Sequence, residues 1–166
     1  MAEMETTEPI VFLDVDGPLI PFGASERELP GGYPEYGPAD EGNPLLARLD
    51  PALGARLSAL PGRLVWATTW LDEANTVVGP RLGLPGLPVV RWQEDTGRGR
   101  HWKVPSLVAW AAGRPFVWID DEIGEADRAW VGGCHPGPAL LHCVDARFGL
   151  RDADFADIGA WLRVCR

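Results

Sequence analysis

The sequence predicts an α/β fold: a three-layer, Rossmann-like arrangement of about five parallel strands with helices on both faces. Three observations carry that expectation. Short apolar runs alternate with longer helix-like segments along the chain. The runs lack the in-and-out alternation of a half-exposed sheet, as strands buried on both faces do. Polar residues suited to chemistry stand just after several of the runs, where open parallel sheets collect their ligands.

Taken in order, Ile10–Leu13 reads as the first strand, and Leu45–Leu60 contains an amphipathic helix ended by "PG". Leu64–Ala67 reads as a second strand, followed by a helix from about Leu71 to Leu82. Val89–Trp92 gives a third strand and Val104–Ala112 a third helix. Phe116–Ile119 is a fourth strand, with a short helix near Glu125–Val131 after it. Leu140–Val144 is a fifth strand, and Ala153–Leu162 a closing helix. Between the first strand and the first helix lies Pro18–Asn43, rich in Gly, Pro and acidic residues. It is too long for a simple connection, so it reads as an ordered flap or small lid on a single domain over residues 1–166.

At 166 residues and 46% hydrophobic content, the chain is long enough for one real core. Its 15 Lys+Arg against 24 Asp+Glu leave a formal charge of −9, which argues against strong duplex nucleic-acid binding. A small phosphorylated substrate remains compatible, because charge inside a cleft can oppose the net charge. The N-terminal "MAEMETTEP" lacks an apolar signal region and no run is long enough to span a bilayer, so no membrane association is expected. Three cysteines without framework spacing suggest reduced thiols and a cytoplasmic setting.

The chemistry concentrates at strand ends. Asp14 and Asp16 follow the first strand in "FLDVDGPL", Thr68 and Thr69 follow the second, and Asp120 and Asp121 follow the fourth. Lys103 stands just before the third helix, where a helix N-terminus favours anions. Ionised carboxylates are costly to desolvate, and several on one rim call for a cation. Hard oxygen ligands select Mg²⁺. A metal together with an ammonium, a hydroxyl and backbone N–H groups makes a cradle for a phosphoryl group. Lys103 is also the only lysine, the other fourteen basic residues being Arg, which suggests that a compact point charge is needed there.

In order and spacing these motifs resemble those of the haloacid dehalogenase (HAD) superfamily: "DVDG", the threonine of "VWATTW", Lys103 and "WIDD". More narrowly, "VWATTW", "RPFVWIDDE" and "VDARFGLRDADF" resemble the HAD domains linked to Swiss-army-knife RNA-repair proteins, from about Ile10 to the C-terminus. The resemblance implies a HAD core with a minimal cap and a Mg²⁺-dependent phosphatase working through an aspartyl-phosphate. Asp14 would then be the nucleophile, and Asp16 the acid for the leaving oxygen and the base for water. Thr68 would hydrogen-bond phosphoryl oxygens and Lys103 would neutralise them. Thr68 is preferred to Thr69 because it follows its strand at the offset at which Asp14 follows its own. Asp14, the Asp16 backbone carbonyl and Asp120 would hold Mg²⁺, with Asp121 as ligand or support. The substrate would be a phosphorylated small molecule or a nucleic-acid end. Pro18 departs from the superfamily, which more often has Thr or Val there.

Other readings compete. Asp120 and Asp121 are suited to capping the next helix. Cys134-His135 and His142-Cys143 invite zinc but lack its usual ligand spacing. "TGRGR" at Thr96–Arg100 lacks the Lys-Ser/Thr of a phosphate loop and reads as a turn. Among eight tryptophans, Trp66 and Trp118 fall inside strands and read as core, whereas Trp70, Trp92 and Trp102 lie near the expected rim. Trp70, Trp102 and the flap's Tyr33 are candidate substrate contacts. A phospho-signalling receiver would place its acidic pair first and its phosphoacceptor later, the reverse of this order. A non-catalytic HAD fold serving as a binding or partner domain is the remaining alternative.

Overall fold

The computed structural model describes residues 8–38, 42–95 and 97–165. The acidic start of the chain, residues 39–41 of the flap and Thr96 of "TGRGR" lie outside the described residues. Four parallel strands, β1 (Ile10–Leu13), β2 (Arg63–Trp66), β3 (Phe116–Asp120) and β4 (Ala139–Cys143), form one sheet in the order β2-β1-β3-β4. The helices are α1 (Ala52–Ser58), α2 (Gly79–Leu82), α3 (Val104–Ala111), α4 (Glu125–Cys134) and α5 (Asp152–Val164). None of the described helices is long and apolar enough to cross a membrane.

Side chains alternate between the two faces of each strand, and here both faces are apolar. Val11, Leu13, Leu64, Trp66, Val117 and Ile119 pack with residues of α1, α2 and α5. Ile10, Phe12, Val65, Phe116 and Trp118 pack with α3 and with Val131 of α4. This is the expected three-layer arrangement, and Trp66 and Trp118 lie fully buried in its core.

Three elements differ from the sequence expectation. Val89–Trp92 is no strand: Val89 makes a single parallel bridge with Trp66, flanked by Trp66 N–H to Pro88 O and Val90 N–H to Trp66 O. Among the described residues the sheet therefore has four strands rather than five. Pro88 has no N–H to give a ladder. Beyond Val90 the chain turns away, so that Arg91 pairs with Asp72 and the Trp92 indole donates to Thr68 O. The expected helix within Leu45–Leu60 is divided into a 3₁₀ turn at Pro44–Arg48 and α1, because Pro51 disfavours helical Asp50. The expected helix over Leu71–Leu82 is a π-helical turn at Ala74–Val78 running into the short α2. Pro80 cannot donate to the turn before it, and the ladder widens there.

The flap is irregular but anchored. Leu150 N–H donates to Pro18 O, Phe22 N–H to Ala146 O and Tyr36 N–H to Ala47 O. Arg147 pairs with Glu28 of the flap. The Arg48 guanidinium lies 4.2 Å from the centre of the Tyr33 ring and donates to Pro21 O.

Candidate active site

Strand register assembles the site. β1 pairs with β3 so that Leu13 faces Ile119, and one residue further on Asp14 N–H donates to Ile119 O at 3.1 Å. Asp14 thus stands beside Asp120. Both continue the face formed by Ile10, Phe12, Phe116 and Trp118, the face on which α3 packs. Lys103 immediately precedes α3 and reaches this corner from above.

Its ammonium lies 2.8 Å from Asp120 Oδ2 and 3.2 Å from Asp14 Oδ1, and donates to Ala67 O at 2.9 Å. Lys103 is only 4% exposed, Asp120 1% and Asp14 7%, so these charges meet largely out of water. The ammonium also sits 5.6 Å from the Trp92 ring and 5.9 Å from the Trp102 ring. Its backbone N–H donates to His101 Nδ1, whose Nε2 lies 3.0 Å from Glu122 Oε2. Asp120 Oδ1 accepts from Glu122 N–H.

Asp14, Asp120 and Asp121 each offer a ligand oxygen within 4.8 Å of the others. Three carboxylates against one ammonium leave an excess of negative charge in a poorly solvated corner. Burial raises the Asp14 carboxyl to about 7, with Lys103 opposing and Asp120 adding to the shift. Burial and then the charge of Asp120 raise Asp121 to about 7 as well. Burial works against the charged Lys103, yet the two neighbouring carboxylates hold it above its usual value. An all-oxygen donor set of this kind is suited to a hard divalent cation.

Gly17 leaves room for Asp121. Its φ is +102°, and a Cβ there would come within 2.6 Å of Asp121 Cγ. Gly17→Ala is therefore expected to displace the Asp121 carboxylate and to weaken divalent-cation binding at this corner by about tenfold or more. Calorimetric titration of the variant with a divalent metal salt checks this; unchanged binding would remove Asp121 from the candidate cation site.

The remaining sequence-derived candidates divide. Asp16 is exposed, and its Oδ2 accepts from the Trp70 indole N–H at 3.0 Å. Thr68 is fully buried and its Oγ1 accepts from Trp70 N–H at 3.2 Å, whereas Thr69 is exposed. Trp102 is 39% exposed and packs edge-on against Trp92. Tyr33 belongs to a different neighbourhood: its hydroxyl accepts from Ala24 N–H, and it lines a cavity of about 340 Å³ between the flap and residues 147–151. The cysteine–histidine pairs point to separate partners, His135 to Arg114 O and His142 to Asp154.

Sequence reasoning missed His101, the Ala67 carbonyl and the contact between Gly17 and Asp121. Nothing local marks them. His101 stands two residues before Lys103 in "HWKVP", but its role follows from the packing of α3 against β3.

A family model described as "HAD domain in Swiss Army Knife RNA repair proteins" matches residues 10–155. No curated protein and no solved structure matches the chain.

Proposed function

The chain belongs to the family of HAD domains in Swiss Army Knife RNA repair proteins, and from that premise we propose that it is a Mg²⁺-dependent phosphomonoesterase. The observation that carries the reading is the convergence of Asp14, Asp120, Asp121 and Lys103 on one corner of the sheet. Asp14, Asp120, Asp121 and the Asp16 carbonyl would hold Mg²⁺. When bound, the ion supplies charge neutralisation for phosphoryl oxygens.

The chain's own residues do the rest. Asp14 attacks phosphorus through a carboxylate oxygen, and the bond from phosphorus to the leaving oxygen breaks. The leaving oxygen takes its proton from Asp16, and Asp14 is left as an aspartyl-phosphate. Asp16, now a carboxylate, removes a proton from water. The resulting hydroxide attacks phosphorus and frees Asp14 and inorganic phosphate. Lys103, fixed by Asp14, Asp120 and Ala67 O, holds positive charge where phosphoryl oxygens arrive. Thr68 adds its hydroxyl.

The substrate we propose is a phosphate monoester on a nucleoside, either a nucleotide or a nucleic-acid end. The half-open Trp102 ring lies beside the ammonium and would stack on a base, and the family's description favours the same reading. A phosphate-release screen with Mg²⁺ over mononucleotides, sugar phosphates and 5′- or 3′-phosphorylated oligonucleotides tests both parts. Release from nucleoside-bearing esters above the others is expected. Release from none of them would leave a non-catalytic binding domain. With the preferred substrate in hand, Asp120→Ala should sharply weaken the response to Mg²⁺, and an unchanged titration would refute its role as a ligand.

A further inference from the structure

We infer that Trp70 is a positioning residue for Asp16, fixing the orientation of the carboxyl group that serves the leaving oxygen; the inference rests on the phosphatase reading above. Trp70 Nε1 donates to Asp16 Oδ2 at 3.0 Å, across 54 residues of sequence. An indole N–H only donates. Along that bond Oδ2 is the acceptor, so the indole fixes one oxygen of the carboxyl group and with it the direction of the other. The bond holds the carboxyl group in one orientation for both of its proposed roles, acid and later base.

Both ends of the bond are fixed by other contacts. Asp16 would otherwise be an exposed aspartate with free rotamers, but its backbone bridges to Ile20 and Gly17 N–H donates to Ile20 O. Trp70 is held more firmly. Its ring packs against the buried cluster on the α1–α2–α5 face. Its backbone N–H donates to Thr68 Oγ1, and Leu71 N–H and the Trp92 indole both donate to Thr68 O. Leu71 has φ +52°, a left-handed conformation that a leucine adopts only when its surroundings impose it. This tight turn directs the indole across the site instead of leaving it along the helix that follows. One turn therefore joins the threonine proposed for phosphate to the residue proposed for proton transfer.

The test measures kcat/KM for aryl phosphates whose phenols run from strongly to weakly acidic, in the wild type, Trp70→Phe, Asp16→Asn and the double variant. A strongly acidic phenol leaves without a proton, whereas phenol itself needs one. Loss of the N–H is expected to cost little with acidic leaving groups and about ten- to hundredfold with phenyl phosphate. Competitive inhibition by vanadate should change by less than about twofold, because phosphate binding is untouched. In the Asp16→Asn background Trp70→Phe should cost nothing further. A uniform loss across leaving groups, no loss, or an additive double variant would overturn the inference while leaving the role of Asp16 intact. A flat series for Asp16→Asn, or no hydrolysis by the wild type, would overturn the phosphatase reading and this inference together. If Trp70→Phe does not fold, benzothienylalanine placed at position 70 keeps the ring shape, lacks the N–H and is held to the same outcomes.

Discussion

Asp14→Asn is expected to lower turnover of p-nitrophenyl phosphate by several orders of magnitude while the protein stays folded. The substitution keeps the shape of the side chain and removes its charge. An amide oxygen is a poor nucleophile, and the covalent route is lost with it. The structure also says why the fold should survive. Asp14 is 7% exposed, and burial raises its carboxyl from 3.8 to about 7. A carboxyl whose pKa is higher folded than unfolded binds its proton more tightly in the native state. Its protonation therefore favours folding at low pH, and that contribution fades as pH rises from about 3.8 to about 7. Above that range the ionised group opposes folding. A neutral asparagine removes this opposition while Lys103 keeps Asp120 as its partner at 2.8 Å, so without Mg²⁺ the variant should melt at or above the wild-type temperature near pH 8. Near-normal turnover would refute the nucleophile assignment, and a large drop in melting temperature would refute the account of its burial.

Lys103→Met should damage both stability and activity. The methionine fills similar space between Trp92 and Trp102 but leaves Asp14 and Asp120 side by side with no cation, and leaves Ala67 O without its donor. Removing one member of a buried ion pair costs about 3–5 kcal/mol, because the partner's charge remains buried. Here two carboxylates share the loss, so the upper part of that range is expected from urea unfolding without added metal. Turnover should fall about 10²- to 10³-fold with Mg²⁺ present, the usual effect of losing one preorganised positive group. Lys103→Arg should not restore activity, since a planar guanidinium cannot replace a compact ammonium among three close acceptors. A Lys103→Met protein as stable and active as the wild type would contradict the electrostatic account of the site.

The sequence shows most of the fold because both faces of this sheet are buried. Continuous apolar runs mark such strands, and β1 spans Ile10–Leu13 as expected, with β2, β3 and β4 each within a residue of expectation. Val89–Trp92 carries the same composition, yet prolines on one side and the pull of Trp92 toward Thr68 reduce it to one bridge. Composition registers the apolar run and not the competing contact. The helix expected over Leu71–Leu82 fails similarly, with the left-handed Leu71 reshaping its start and Pro80 its end.

By itself the sequence determined that Asp14, Asp120 and Lys103 would share one rim. Each stands where a strand ends or a helix begins, and parallel pairing brings such ends together. Tertiary structure alone decided how those groups are held and which neighbours tune them. Trp70 reaches Asp16 across 54 residues, and Gly17 leaves room for Asp121 more than a hundred positions away. Strand and helix periodicity are local properties written in neighbouring residues. A hydrogen bond between distant side chains depends on register, crossing and turn geometry that no short stretch of sequence specifies.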